Sequence, residues 1–363
     1  MTRLPPTTLL RAAASVRAAL QRVTGRMVPP EVALLELASG FMASRTLFAV
    51  AELGVAGVLA DGPRSPAEVA AVLGTDPDAT YRLLRACAAW GVFREGPDGR
   101  FALTPTADRL RSGTADSMRD VVLMLGHPDY QQVWGGLAGS VRTGTPVAEH
   151  TLGRSLWEHL DHDPAFGATF DDAMSRLTAL DWPTVAAVYD FSRFSTIADV
   201  GGGHGQLLAL MLSAAPTARG ILLEREAVAR RAEELLRTAG VLDRVRIQPG
   251  SFFDAAPDDA DLYVLRRVLH DFDDEQAAAV LTTLRSQMPD DATLLVVESV
   301  VPAGNARHLA KALDLDMMVF VGGRERTDAE WRTLLTSTGF EPPRIVPTLS
   351  SVSLLESSPR RSS

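Results

Sequence analysis

The 363-residue chain is long enough for two domains, and its 46% apolar content can fill the cores of both. A formal net charge of −9 gives no general electrostatic case for nucleic acid or an anionic membrane surface as partner. The single cysteine, Cys87, excludes a disulfide within the chain and suits a reducing, cytoplasmic setting. Cys87 lies in an apolar helical stretch and reads as core packing.

Residues 1–30 carry Arg3, Arg11, Arg17, Arg22 and Arg26 around short apolar patches. Without a long hydrophobic centre they read as a flexible N-terminal segment rather than a secretory signal. The most apolar stretch, Val32 to Ala60, is interrupted by Glu36, Arg45 and Glu52, so no membrane span is expected. Residues 31–112 read as helices followed by a hairpin. Ser65 is placed to cap a helix with Pro66 in its first position, and Asp78 to Ala89 forms a second. Gly91–Glu95 and Arg100–Thr104 flank a Pro-Asp-Gly turn, which predicts two antiparallel strands. Such a winged helix-turn-helix could present Arg82 and Arg85 to DNA. However, Asp76 and Asp78 stand where the second helix begins and would repel phosphate, so dimerisation is the expected role.

Residues 113–190 read as a mostly helical connector. Trp134, Trp157, Phe166, Phe170, Met174 and Trp182 recur along it at helical spacing, as core or as the lining of a flat apolar pocket. His159 and His162 stand near Asp161 and Asp163, but on a polar helix end such histidines are solvated, and no metal site is expected. From 191 to 357 strand and helix alternate. The strands are Thr196–Val200, Gly220–Glu224, Val245–Gln248, Leu262–Val268 and Ala292–Ser299, which predicts a parallel sheet covered on both faces. Arg344–Thr348 and Ser351–Leu355 are joined by two residues and should close the sheet with an antiparallel pair. Residues 358–363 read as a disordered tail.

Within that region, Asp199-Val200-Gly201-Gly202-Gly203-His204-Gly205 follows the first strand and precedes a helix from Gln206. A turn without β-carbons lets a ligand lie on bare backbone, facing the N–H groups of the helix start. A dinucleotide fingerprint would need glycine or alanine where Gln206 stands, which counts against a nicotinamide oxidoreductase. Glu224 closes the second strand where a ribose diol would need an acceptor. A cofactor with a ribose but no pyrophosphate fits best, and S-adenosylmethionine is the candidate. A second segment, Leu265 to Glu275, runs from a buried strand into polar residues and places His270 at the edge where open α/β sheets bind ligands. Glu298 ends the next strand, and Glu325 lies in the loop Gly322–Thr327. Either carboxylate could fix the imidazole tautomer.

The block from Asp199 to Thr327 resembles the plant-type, metal-independent S-adenosylmethionine-dependent O-methyltransferases and their bacterial secondary-metabolism branch. The matching pieces are DVGGGHG (199–205), RGILLE (219–224), GSFFD (250–254), LRRVLHDFDDE (265–275), VVES (296–299) and GGRERT (322–327). The resemblance implies a Rossmann-like class I methyltransferase sheet, mostly parallel with an antiparallel C-terminal strand, behind an N-terminal winged-helix dimerisation domain. It implies a homodimer that transfers a methyl group to a hydroxyl of a small phenolic or polyketide-like metabolite, leaving S-adenosylhomocysteine. Asp199, Gly201 and Gly203 would hold the methionine part of the cofactor and Glu224 the ribose. Ser251 and Phe252 would border the adenine, and Arg266 would line the same site. His270 would be the base, steered by Glu298 and Glu325. Trp157, Phe170, Met174, Met317 and Met318 would shape the acceptor pocket. The chain departs from the family pattern in Ser251 for an aspartate, in Arg266 and Arg267 for lysine and asparagine, and in Glu224-Arg225-Glu226 for Asp-Leu-Pro. Relatives that hydroxylate or decarboxylate tend to lack the histidine, so methyl transfer is expected. A non-methylating hydroxylase- or decarboxylase-like relative and N-methylation are the alternatives, with a winged-helix DNA-binding regulator behind them.

Overall fold

The computed structural model describes residue 16 and residues 27–361, so most of the expected flexible segment 1–30 lies outside the described residues. Among the described residues the chain forms two compact units. One comprises Val133–His159 and the residues from Thr178 on; the other comprises the residues up to Gln132 together with Leu160–Leu177. The expected single connector, 113–190, is thus divided between them.

The N-terminal unit begins with helix α1 (Pro30–Leu53), whose 24 residues leave Leu34, Leu35, Leu37, Phe41 and Met42 exposed. By length and composition this helix could cross a membrane. Glu36, Arg45 and Glu52 thus do not by themselves exclude a span, but length and composition are a test that helices of proteins outside the membrane also pass. Helix α2 (Pro66–Leu73) starts in a capping box, with Ser65 Oγ accepting from the Glu68 N–H and Glu68 accepting from the Ser65 N–H at 2.7 Å. Helix α3 (Pro77–Ala89) is capped by Asp76, and strands β1 (Phe93–Glu95) and β2 (Phe101–Leu103) pair antiparallel beyond it. Their inward residues Val69, Leu84, Phe93 and Phe101 share one core with Cys87. Burial pushes the Cys87 thiol up to about 11, so it packs as an uncharged group.

Helix α4 (Pro164–Ala186) follows in the chain. The other unit is built on a seven-stranded sheet. Its strands are β3 (Thr196–Val200), β4 (Arg219–Glu224), β5 (Val245–Pro249), β6 (Leu262–Arg266), β7 (Thr293–Glu298), β8 (Arg344–Pro347) and β9 (Ser353–Ser357), in spatial order β5-β4-β3-β6-β7-β9-β8. β5 through β7 run parallel and β9 and β8 antiparallel. Period-two alternation splits the strand residues between two cores. Ile197, Leu222, Val264 and Leu295 face one, while Ala198, Leu223, Leu265 and Val296 face the other. Each fully buried Leu or Ile contributes about 1.5–3 kcal/mol.

Chain order reverses between β3 and β6. Their C-terminal ends therefore diverge into loops leading to opposite sides, the crevice where open α/β sheets bind ligands. Two sequence expectations are corrected here. β6 stops at Arg266 instead of reaching Val268, because Arg267 turns to φ +51°. The tail is paired at least to Arg360: the Glu341 N–H donates to the Ser358 carbonyl (2.9 Å) and the Arg360 N–H to the Gly339 carbonyl (2.8 Å).

Candidate active site

The glycine turn leaves β3 with Gly201 at φ +68° and Gly203 at φ +56°, and helix α5 (Gln206–Ala214) starts behind Gly205 at φ +77°. A β-carbon on Gly201 would lie 2.8 Å from Val268 Cγ2 and 3.3 Å from Phe252 Cε1, so this residue must be glycine on both conformational and steric grounds. At Gly203 the corresponding direction is open. Glu224, at the end of β4, takes the Gly203 N–H on Oε2 (3.0 Å) and the Arg225 N–H on Oε1 (2.7 Å), which ties the turn to the neighbouring strand. Asp199 is 1% exposed, and its Oδ2 has no hydrogen-bond partner. Burial pushes its pKa up to about 7, with Arg266 opposing and Glu224 adding to the effect. A buried carboxylate left in this state suits a cationic donor.

Ser251 Oγ accepts the Phe253 N–H at 3.2 Å and so caps its own turn after β5. The Phe252 ring packs edge-on against Phe272, with 5.9 Å between centroids. Arg266 is bound to Asp181 on α4, Nη2 to Oδ2 at 2.7 Å, with only 9% and 6% of the two side chains exposed. Arg267, in its left-handed conformation, donates from Nη2 to Ser351 Oγ (3.1 Å) and lies 3.9 Å from the same Asp181 oxygen.

His270 follows β6 in a single 3₁₀ turn and is 6% exposed. Its Nδ1 lies 2.9 Å from Glu325 Oε1 but 3.8 Å from Glu298 Oε2. The two glutamates therefore do different work. Glu298 Oε1 accepts the Val268 and Leu269 N–H groups (3.0 and 3.2 Å), the donors that β6 releases when Arg267 turns left-handed. Glu325 meets the imidazole directly, its own N–H held by Asp314 Oδ1 at 2.9 Å. On the other side of the ring, Nε2 lies 3.5 Å from Asp271 Oδ1. Burial works against the charged imidazole, but Glu298, Asp271 and Glu325 outweigh it and lift the His270 pKa to about 9. Burial likewise raises Asp271, to about 7, with His270 opposing and both glutamates adding. Glu298 is raised by burial in the same way.

The structure thus brings His270, Glu298 and Glu325 together on the sheet edge that also carries Asp199, the glycine turn and Glu224. Sequence reasoning missed Asp181, Asp314 and the facing role of Asp271. Only Asp271 had a local signal, its place beside the histidine. Of the expected acceptor residues, Trp157, Met317 and Met318 belong to the sheet-bearing unit, and the Trp157 ring lies under the Arg225 guanidinium at 5.6 Å. Phe170 and Met174 belong to the part of α4 in the other unit. Ligand atoms of His270, Glu298 and Glu325, and separately of His127, Asp129 and Asp163, lie within 4.8 Å of one another. The first group is already a hydrogen-bonded imidazole–carboxylate set.

A seven-stranded sheet of this order, with a glycine turn after β3 and an acidic end to β4, defines a class I, Rossmann-like methyltransferase that uses S-adenosylmethionine. The O-methyltransferase domain family matches residues 134–341 and the O-methyltransferase dimerisation domain residues 35–113. The chain is 39% identical to phenazine O-methyltransferase PhzM of Lysobacter antibioticus, over 92% of this chain and 97% of that one. It is 40% identical to the 8-amino-8-demethylriboflavin N,N-dimethyltransferase of Streptomyces davaonensis, over 81% and 86%. The crystal structure of NcsB1, an O-methyltransferase from neocarzinostatin biosynthesis in complex with S-adenosylmethionine and 2-hydroxy-5-methyl naphthoic acid, superposes with a TM-score of 0.74. That match has 34% identity over 87% of this chain and 96% of that one. The protein belongs to the O-methyltransferase family and is an S-adenosylmethionine-dependent O-methyltransferase.

Proposed function

We propose that the protein methylates a hydroxyl of a small, flat aromatic metabolite, with His270 as general base. The observation that carries this reading is the buried His270–Glu325 pair, 2.9 Å apart, on the same sheet edge as the glycine turn. S-adenosylmethionine, when bound, supplies a methyl group on a positively charged sulfur that an attacking oxygen can displace. Asp199, with its unpartnered Oδ2, is assigned to the cofactor's ammonium group, and Gly201 and Gly203 to the rest of its methionine part. Glu224 is assigned to the ribose, Ser251 and Phe252 to the adenine, and Arg266 to the wall of that site.

With Nδ1–H donated to Glu325, Nε2 is the nitrogen left to take the acceptor's proton. An unperturbed imidazole faces a phenol of pKa about 10 across about 3.5 pK units, an uphill transfer of ~5 kcal/mol. At a His270 pKa of about 9 the remaining gap is about one unit, or ~1.4 kcal/mol. Asp271 faces the same nitrogen and stabilises the imidazolium that forms. Trp157, Met317 and Met318 are assigned to the apolar wall that an aromatic acceptor would need. The aromatic skeletons in the relatives' names, a phenazine and a naphthoic acid, support that acceptor class. The exposed Leu35, Leu37, Phe41 and Met42 of α1, within the dimerisation-domain match, support a homodimer joined through the N-terminal unit. A cytoplasmic enzyme completes the reading.

The test is methyl-labelled S-adenosylmethionine offered with paired acceptors, a phenol and the aniline of the same skeleton. Label in the phenol is expected. Label in the aniline alone would replace oxygen with nitrogen as the acceptor atom, and absence of label from both acceptors would refute the reading.

A further inference from the structure

Arg326 takes no part in the chemistry proposed above, yet it is completely buried (0% exposed). A guanidinium keeps its charge inside a protein, so its donors need acceptors there. Here Nε donates to Asp274 Oδ1 (2.9 Å), and Nη1 to the Leu269 carbonyl (2.9 Å) and, at 3.4 Å, to that of Arg324. Nη2 donates to the Phe272 carbonyl (3.0 Å). The buried indole of Trp331 covers one face, its centroid 5.2 Å from the guanidinium carbon. These acceptors follow a pattern. Leu269 and Phe272 bracket His270 and Asp271, Arg324 precedes Glu325, and Asp274 opens the helix after the histidine turn. The Arg324 N–H donates to the His270 carbonyl at 2.8 Å, and a β-carbon on Gly323 would collide with that same oxygen. Two segments 55 residues apart, as measured from His270 to Glu325, are thus held in close apposition by one side chain.

We propose that Arg326 is a positioning residue for methyl transfer: it clamps the carbonyls on both sides of His270 to the loop carrying Glu325, and so sets the Nδ1–Oε1 separation on which the base depends. The proposal rests on His270 and Glu325 acting as described above. A lysine cannot replace the clamp, because a single ammonium cannot span carbonyls that the planar guanidinium fork reaches together.

The experiment compares Arg326→Lys and Arg326→Gln with the native protein, counting turnover per S-adenosylmethionine-binding site found by calorimetry, so that unfolded material does not contribute. The expected result is a fall in kcat of roughly ten- to a hundredfold, the cost of a misplaced catalytic group, with cofactor affinity within about twofold. In a Glu325→Gln background the same Arg326→Lys change should cost less than about threefold more, since the pair it positions is already broken. Should neither Arg326 variant fold, Asp274→Asn, at a carboxylate 58% exposed, loosens the same guanidinium and should lower kcat alone. Native kcat in whichever variant folds, or fully multiplicative losses in the double variant, overturns the proposal. A His270→Ala protein with native turnover would instead refute the assignment of the base itself, which separates the two failures.

Discussion

Glu325→Gln removes the charge facing His270 Nδ1 while leaving an oxygen to accept its hydrogen bond at the present 2.9 Å. The distance between a His270 pKa of about 9 and the ordinary 6.5 amounts to about 3.4 kcal/mol in favour of the charged ring. Burial opposes that preference, so Glu298, Asp271 and Glu325 supply more than the net amount between them. Removing one of the three should take away about 1–1.5 kcal/mol, or about one pH unit. The sign follows from the chemistry. The neutral ring accepts the proton, so activity rises as pH climbs through the imidazolium pKa, and a lost carboxylate moves that rise downwards. The assay is kcat/KM against pH from about 6 to 10.5, with the acceptor's own ionisation measured separately. The native profile should rise with a midpoint near 9. The variant's midpoint should lie near 8, with a plateau about tenfold lower. A native midpoint near 6.5, or one that Glu325→Gln leaves in place, would refute the electrostatic argument.

Asp199, at a pKa of about 7, is roughly half-protonated at pH 7 and must ionise to receive an ammonium group. Binding of S-adenosylmethionine at that pH should therefore release about half a proton, measured as the dependence of calorimetric heat on buffer ionisation enthalpy. Asp199→Asn should abolish the release and weaken binding tenfold or more, at about 1.4 kcal/mol per factor of ten; an unchanged proton count would contradict the assignment. Gly201→Ala places a methyl 2.8 Å from Val268 in a φ +68° backbone. It should cost about 1–3 kcal/mol of stability in thermal or urea unfolding. A variant as stable as the native protein would show that the turn can relax away from Val268.

The parallel strands were legible because buried strands are continuous apolar runs between glycines and charges, and β3 was read with its observed ends. The glycine turn and His270 stood out for the same reason: each is polar or bare chemistry at the end of such a run. The division of labour between Glu298 and Glu325 was not legible. Both lie in sequence contexts that place them on the correct edge, and an ångström of difference at Nδ1 depends on where Arg267 turns left-handed. Neither was the Arg266–Asp181 pair, whose members stand 85 residues apart. Spacing along α4 says which face Asp181 occupies, not which strand end that face meets. The apolar length of α1 was less legible, because Glu36, Arg45 and Glu52 were weighed one by one rather than against the whole 24-residue helix.

The most direct measurement is transfer of labelled methyl from S-adenosylmethionine to a phenol by the native protein and by His270→Ala, with cofactor affinity determined on both. Turnover lower by roughly a hundredfold or more at unchanged affinity is the predicted result. Equal turnover by the two proteins would contradict the account.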